Sequence, residues 1–242
     1  LLGIDGLAGR LDERFRVLTA GKRTALPRQR TLQATLDWSY GLLAPREQAV
    51  FRRLGVFAGS FALAAAADVA VSGEHDEFGV IECLAGLCDK SLVVVDPGEG
   101  DVRYRLLESA RAYALERLSD AGETAAVTRR HALHYRRFFA AWFDDWTLQS
   151  DAAFRARYAP DLDNLRTAIA WSFGPDGDSE VAIALVGSAG QLWVSLSLYA
   201  EAERLAQRAL ELVVPATPPA LEADLWSAVA RIYGQRNHQA TI

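Results

Sequence analysis

The chain has 242 residues, 50% of them hydrophobic and 24% charged, and a formal net charge of −5. That composition suits a globular protein with one large core or two smaller ones. It excludes a disordered chain, a collagen-like repeat and, with only 2 cysteines, a disulfide scaffold. No apolar run approaches the roughly 20 residues that a membrane helix needs, and no basic–apolar leader opens the chain, so no membrane role is expected and the expected compartment is the cytoplasm.

In chain order, Leu7, Leu11, Phe15 and Leu18 form an apolar stripe at helical spacing, and a polar, basic stretch runs from Thr19 to Arg30. Leu32, Leu36, Tyr40 and Leu43 predict a helix over 31–43. Pro45 suits the first turn of the next helix, over 45–58, because its missing N–H would have no intrahelical partner there. Gly59 ends that helix. Ser60 reads as the N-cap of an Ala-rich helix to about Val71, and Asp76 as the cap of a helix over 76–89 with Val80, Ile81, Leu84 and Leu87 on its apolar face. The pattern then changes. Ser91–Val95 is short and β-branched, 96–101 is dense in turn residues, and Val102–Leu106 alternates apolar and polar. This predicts a β-hairpin, the only β-structure expected. A helix resumes near Leu107 and stops near Gly122.

From Glu123 the pattern is helical to the end, with helices expected over 123–146 and 151–173 and breaks at 149–151, 174–178 and 215–219. Helices closed by one hairpin give the order of a winged-helix domain. Segments 31–43, 45–58 and 76–89 would be its core, 91–106 its wing and 60–71 an elaboration. The tail carries a weak tetratricopeptide pattern. Gly190, Trp193, Tyr199, Ala202 and Ala209 fall on the consensus offsets, while Val186 and Ala206 depart from it, and a second unit opens with Ala230 and Tyr233. The expected fold is therefore mainly α: a winged-helix domain over 25–122, then a tetratricopeptide-like (TPR-like) helical array over 123–242.

Several words of the sequence resemble one family. They are Arg10-Leu-Asp-Glu-Arg-Phe-Arg-Val-Leu-Thr19, Thr24-Ala-Leu-Pro-Arg-Gln29, Thr31-Leu-Gln-Ala-Thr-Leu-Asp-Trp-Ser-Tyr40, Leu54-Gly-Val-Phe-Ala-Gly59, Asp89-Lys-Ser-Leu-Val93 and Tyr104-Arg-Leu-Leu-Glu108, with Asp163-Asn-Leu-Arg-Thr-Ala168 continuing into the tail. These are similar to the middle of large bacterial transcriptional regulators of the STAND/NB-ARC signal-transduction ATPase class (LuxR- and AfsR-like regulators). The resemblance implies an order of ATPase core, helical lid, winged helix and TPR-like helices, with residues 1–24 as the end of the lid and its linker. No G-x-x-x-x-G-K-[ST] phosphate loop occurs, and the chain starts without Met, so it is read as a non-catalytic piece of a longer protein. By the resemblance, ATP or ADP is bound by the core of the full-length protein and no cofactor by this piece. The implied partners are that core and a protein at the TPR-like helices, with DNA reached through another domain. The implied function is a nucleotide-gated regulatory switch. The alternatives are a protein-binding scaffold and direct DNA binding by the winged helix.

The resemblance also places candidate residues. In related proteins a Met-His-Asp motif follows the wing and its His can touch nucleotide. The matching positions are Leu106, Leu107 and Glu108, so the imidazole is absent, and Glu108 would cap the helix it opens. Arg28 and Arg30, with Lys22 and Arg23, are candidates for phosphate contact near the lid junction. Trp193, Tyr199 and Tyr233 are candidates for a partner-binding groove. DNA readout by the winged helix is disfavoured, because helix 76–89 and the wing tip carry Asp76, Glu77, Glu82, Asp89, Asp96, Glu99 and Asp101 against Lys90 alone. His131 and His134 share a helix face but lack further ligands for a metal. Asp144–Asp145 and Asp161–Asp163 read as solvated charges or caps. No catalytic constellation is found, and no enzymatic activity is expected.

Overall fold

The computed structural model describes residues 27–71, 77–96 and 102–239. It divides into two units, 1–44 and 45–242. In the first, helix α1 (Pro27–Gly41) is the described element, with Leu32, Trp38 and Leu42 exposed. The stripe at Leu7–Leu18, the basic residues Lys22 and Arg23, and the proposed cap Asp76 lie outside the described residues.

The second unit begins with α2 (Pro45–Leu54), strand β1 (Phe61–Ala62), α3 (Leu63–Ala70) and α4 (Glu77–Asp89). Strands β2 (Val94–Asp96) and β3 (Arg103–Arg105) follow, then α5 (Glu108–Asp120). The three strands form an antiparallel sheet in the order β1-β3-β2, with Phe61 opposite Tyr104 and Val95 opposite Tyr104 on the other side. This is a winged helix, and its hairpin is the one the alternation predicts. Two expectations are corrected. Ser60 does not cap a helix: Phe61 and Ala62 first add a third strand to the wing sheet, and the N-cap is Ala62, with no side-chain bond. Helix α3 is also no elaboration. It packs against both α2 and α4, and Ala65, Ala66, Ala67 and Ala70 are buried there. Alanine-rich sequence looks peripheral because it offers little apolar area, but short side chains let three helices approach closely.

The helical region comprises α6 (Thr124–Ala140), α7 (Trp142–Leu148), α8 (Asp151–Tyr158), a 3-10 turn (Ala159–Asp161) and α9 (Leu162–Ser172). It ends in α10 (Ser179–Ser195), α11 (Tyr199–Leu210) and α12 (Pro219–Gln239). The helix expected over 123–146 breaks at Ala141, and that over 151–173 breaks at the 3-10 turn, where Pro160 has no N–H to donate. Ser150 and Asp178 cap the next helices through their side-chain oxygens. Gly122, at φ +68°, makes the left-handed turn between α5 and α6, a conformation that costs glycine little.

The helices α10, α11 and α12 share a mainly apolar core. A Cβ placed on Gly190 would lie 2.6 Å from the Ala228 Cβ, so α12 can come this close only because position 190 has no side chain. Ala202, Ala206 and Ala209 of α11 are fully buried against the same bundle. Residues 45–242 form one compact unit, in which α6 packs on α3 and joins the winged helix to the helical region.

Candidate functional site

The seam between the winged helix and the helical region holds the densest set of buried polar contacts. Its centre is Asp161, 3% exposed at the end of the 3-10 turn. Arg103 of β3 reaches it with two nitrogens, Nη2 to Oδ1 at 2.8 Å and Nη1 to Oδ2 at 3.0 Å. The Tyr135 hydroxyl of α6 donates to the same Oδ1 at 2.8 Å. Arg103 also binds Ser60, through Nε to the hydroxyl and Nη2 to the carbonyl, both at 2.8 Å.

Asn164 lies one helical turn beyond Asp161 and is fully buried. Its Oδ1 accepts from the backbone N–H groups of Ala58 and Gly59, at 2.9 and 3.4 Å, and its Nδ2 donates to the Ser60 carbonyl at 2.8 Å. It thus satisfies the turn that leads into β1, a turn whose backbone groups have no partner in the sheet.

Aromatic rings surround this network. Phe57 stacks on Phe61 at 4.3 Å from the winged-helix side, and His131 of α6 meets Phe57 edge-on at 5.2 Å and Tyr135 at 4.8 Å. Burial in this apolar setting pushes the His131 imidazole down to about 3, helped by the positive charge of Arg111 and by His134, with Asn164 acting the other way. His131 is therefore neutral at ordinary pH. Its Nε2 has no hydrogen-bond partner among the described residues.

A second cluster closes the other side of the seam. Arg52 Nη2 and Arg53 Nε hold the Glu123 carboxylate at 2.7 and 2.8 Å, and Arg53 Nη1 donates to the Ala70 carbonyl at 2.8 Å. Burial alone would raise the Glu123 pKa, but the hydrogen bonds from Arg53 and Arg52 outweigh it and hold the carboxyl at about 2. Arg130 of α6 donates to the Val69 carbonyl, and Asp68 of α3 meets His134 Nδ1 and Arg137 Nη2, each at 2.7 Å. Burial raises the Asp68 carboxyl, but those two hydrogen bonds leave it below its ordinary value.

The sequence reading missed most of this site. It took Asp161 for a solvated charge or cap, whereas the structure buries it as the hub. The readable signal was Asp161 and Asn164 one turn apart on the face that also carries Leu165 and Ala168. Arg103, Ser60 and Tyr135 lie 58, 101 and 26 positions from Asp161, and no sequence pattern joins them.

The residues expected to form sites are placed elsewhere. Leu107 is 46% exposed and is the N-cap of α5 without a side-chain bond, so Glu108 is not the cap. Glu108 sits in the first turn instead, where its charge complements the helix dipole. Arg28 and Arg30 belong to α1, but their side chains lie outside the described residues. Trp193 is fully buried among α10–α12 and cannot line an open groove, since the bundle needs its ring as core. Tyr199 opens α11, and Tyr233 is 37% exposed on α12 with its hydroxyl 3.4 Å from Gln207 Nε2. The three do not converge on one cavity.

The face a winged helix can present to DNA is acidic here. Glu77, Phe78, Glu82 and Asp89 are exposed on α4. Lys90 is drawn to Glu47 at 2.6 Å, and Arg105 to Asp96 at 3.4 Å. Arg111 donates to the Phe57 carbonyl, and Arg117 pairs with Glu116 and Asp120. Among the described residues of 43–122, the basic side chains other than the exposed Arg46 of α2 thus have a carboxylate or carbonyl partner within the protein. Among the described residues no cluster of His, Cys, Asp and Glu could hold a metal ion, and no helix is long and apolar enough to cross a membrane. Cys83 and Cys88 are free thiols.

Comparison with known proteins agrees with the fold. Over 187 residues the chain is 44% identical to proteins named "Putative HTH-type transcriptional regulator" from Mycobacterium tuberculosis (strain ATCC 25618 / H37Rv) and Mycobacterium bovis (strain ATCC BAA-935 / AF2122/97), covering 77% of this chain. It is 42% identical over 134 residues to an uncharacterized protein of Mycobacterium tuberculosis, covering 55% of this chain and 34% of that one. The chain spans only 21% of the length of the two regulators. No solved structure matches. Residues 43–119 match the winged helix-turn-helix domain family, and the helices and three-stranded sheet they form show that the protein carries such a domain, in a chain homologous to HTH-type regulators.

Proposed function

We propose that this chain is the coupling part of a larger transcriptional regulator of the STAND type. In this reading the TPR-like helices receive a protein signal, and the winged helix passes it to a nucleotide-binding core outside this chain. The observation that carries the reading is the Arg103–Asp161–Asn164–Tyr135 network. It fastens the winged helix to the helical region by groups from both, so a force on one is transmitted to the other. The stretch Thr19–Arg30 would lead toward the core, with Arg28 and Arg30 as candidates for phosphate contact and Leu107 and Glu108 at the positions that match the Met-His-Asp motif of STAND-type proteins. DNA would be engaged by a separate domain. The test is protease protection of 19–30 in the full-length protein with ADP, with ATP and without nucleotide. Protection that changes with the nucleotide is expected, and identical cleavage in all three conditions sinks the switch and leaves a scaffold.

Direct DNA binding by the winged helix is the second reading, favoured by the domain match over 43–119. Acidic α4 and the internally paired basic residues weigh against it, because phosphate contact needs free positive charge. A gel shift on random duplex at low salt decides: salt-sensitive retardation establishes it, and free DNA at micromolar protein removes it.

A further inference from the structure

A groove of about 410 Å³ runs between α9 and α11, away from the seam. Its floor is apolar, formed by Ile169, Phe173 and Leu205. Three guanidinium groups line it: Arg166, Arg204 and Arg208. Arg166 is held in place by both oxygens of Glu201, at 2.8 and 2.6 Å, and by Asp163 at 3.0 Å, two carboxylates against its single positive charge. Arg204 and Arg208 are exposed and have no ion pair among the described residues, and Arg208 lies 4.3 Å over the Phe173 ring. A chain of net charge −5 thus presents two exposed guanidinium groups along one apolar-floored groove.

We propose that this groove is the docking site for an acidic segment of a partner protein, one that sets two carboxylates against Arg204 and Arg208 and an apolar side chain on the Phe173–Leu205 floor. Three physical reasons favour that occupant. Guanidinium groups match carboxylates in a two-pronged geometry, and Arg208 already rests against the Phe173 ring, 4.3 Å from its centroid. A local positive patch on a negative protein steers acidic partners toward itself and repels basic ones. An apolar floor with a charged rim is also the usual anatomy of a peptide groove.

The inference rests on the reading of the helical region as the partner-binding part, but its test is separate from the nucleotide test. The 242-residue chain is titrated, by fluorescence anisotropy, into a panel of labelled short peptides that pair two acidic residues with one Leu or Phe at varied spacing. Saturable binding by at least one peptide is expected, weakening with salt. Arg204→Glu with Arg208→Glu should weaken it at least tenfold, Arg204→Gln with Arg208→Gln by less, and replacing the peptide's acids with amides should abolish it. Both variants alter exposed positions, and circular dichroism checks that each is folded. The proposal is overturned if no peptide binds at millimolar concentration, if the charge-reversed variant binds as well as the parent, or if inorganic phosphate displaces the peptide at equal concentration. If protection of 19–30 is nucleotide-independent while the peptide still binds, the switch fails and the groove stands.

Discussion

The seam and the α10–α12 bundle bury side chains in opposite ways. The bundle is mainly apolar: Val181, Leu185, Val186, Leu192, Trp193, Ala206, Leu225 and Ala228 are buried in it, Gly190 lets α10 and α12 approach closely, and Ser188 and Gln191 are its buried polar residues. The seam is a buried polar network enclosed by rings, with Arg103, Asp161, Tyr135 and Asn164 at its centre. Packing of the first kind is tolerant of polarity elsewhere but intolerant of volume. Contacts of the second kind are specific: each charged or polar group is satisfied only by its partner, and each can return to water when the two parts separate. The bundle therefore reads as a rigid body, and the seam as the joint through which that body holds the winged helix.

Breaking the seam at its hub should have the largest effect. Asp161→Ala leaves Arg103 buried without its carboxylate, which costs about 3–5 kcal/mol. Urea unfolding should show that loss, and limited proteolysis should show new cleavage near Gly122 if the joint opens before the rest unfolds. A variant that unfolds in one step, with no early cleavage, would mean that seam and bundle form a single cooperative unit.

Acid should attack the seam next. His131 binds a proton in the unfolded chain near its usual 6.5 but in the folded one only near about 3. Its contribution is thus complete above pH 6.5 and is lost as pH falls toward 3, reaching about 3 kcal/mol by pH 4. Glu123, ordinarily near 4.5 and held at about 2, adds a further loss as pH falls from 4.5 toward 2. Urea midpoints measured from pH 7 to 4 should decline, and His131→Leu should flatten the part between 6.5 and 4.5. A slope unchanged in that variant would exclude His131 as its source.

The bundle is probed by volume. Gly190→Ala places a methyl group 2.6 Å from the Ala228 Cβ and should cost about 1–3 kcal/mol by overpacking. Pairing it with Ala228→Gly should recover much of the loss, which tests the contact itself. The smallest effect belongs to the exposed Lys90–Glu47 pair, where Lys90→Ala should change stability by about 0–1 kcal/mol. A larger loss at Lys90 would show that the pair holds α4 against α2.

Much of the fold was legible in the chain. The apolar periodicity of 76–89 and 107–122, the β-branched run at 91–95 and the turn residues after it gave α4, α5 and the wing in order. Pro45, Gly122 and the breaks at 149–151 and 174–178 marked helix ends because backbone and turn chemistry is local. Strand β1 was not legible, since two residues carry no period and exist as a strand only through pairing with Tyr104 and Arg103. The acidic face of α4 was readable as composition. That the nearby basic residues are also occupied within the protein was not.

By itself, then, the sequence determined the winged-helix order, the helical tail and the sign of the charge on α4, because capping, periodicity and composition act over a few neighbouring residues. Only the tertiary structure decided that Asp161 is a hub rather than a surface charge, that Trp193 is core rather than groove, and that Arg204 and Arg208 flank an apolar channel. Each of those facts depends on which distant side chain arrives within a few ångströms, and burial, hydrogen bonding and pKa are set by that arrival and not by the residue's own neighbours in the chain.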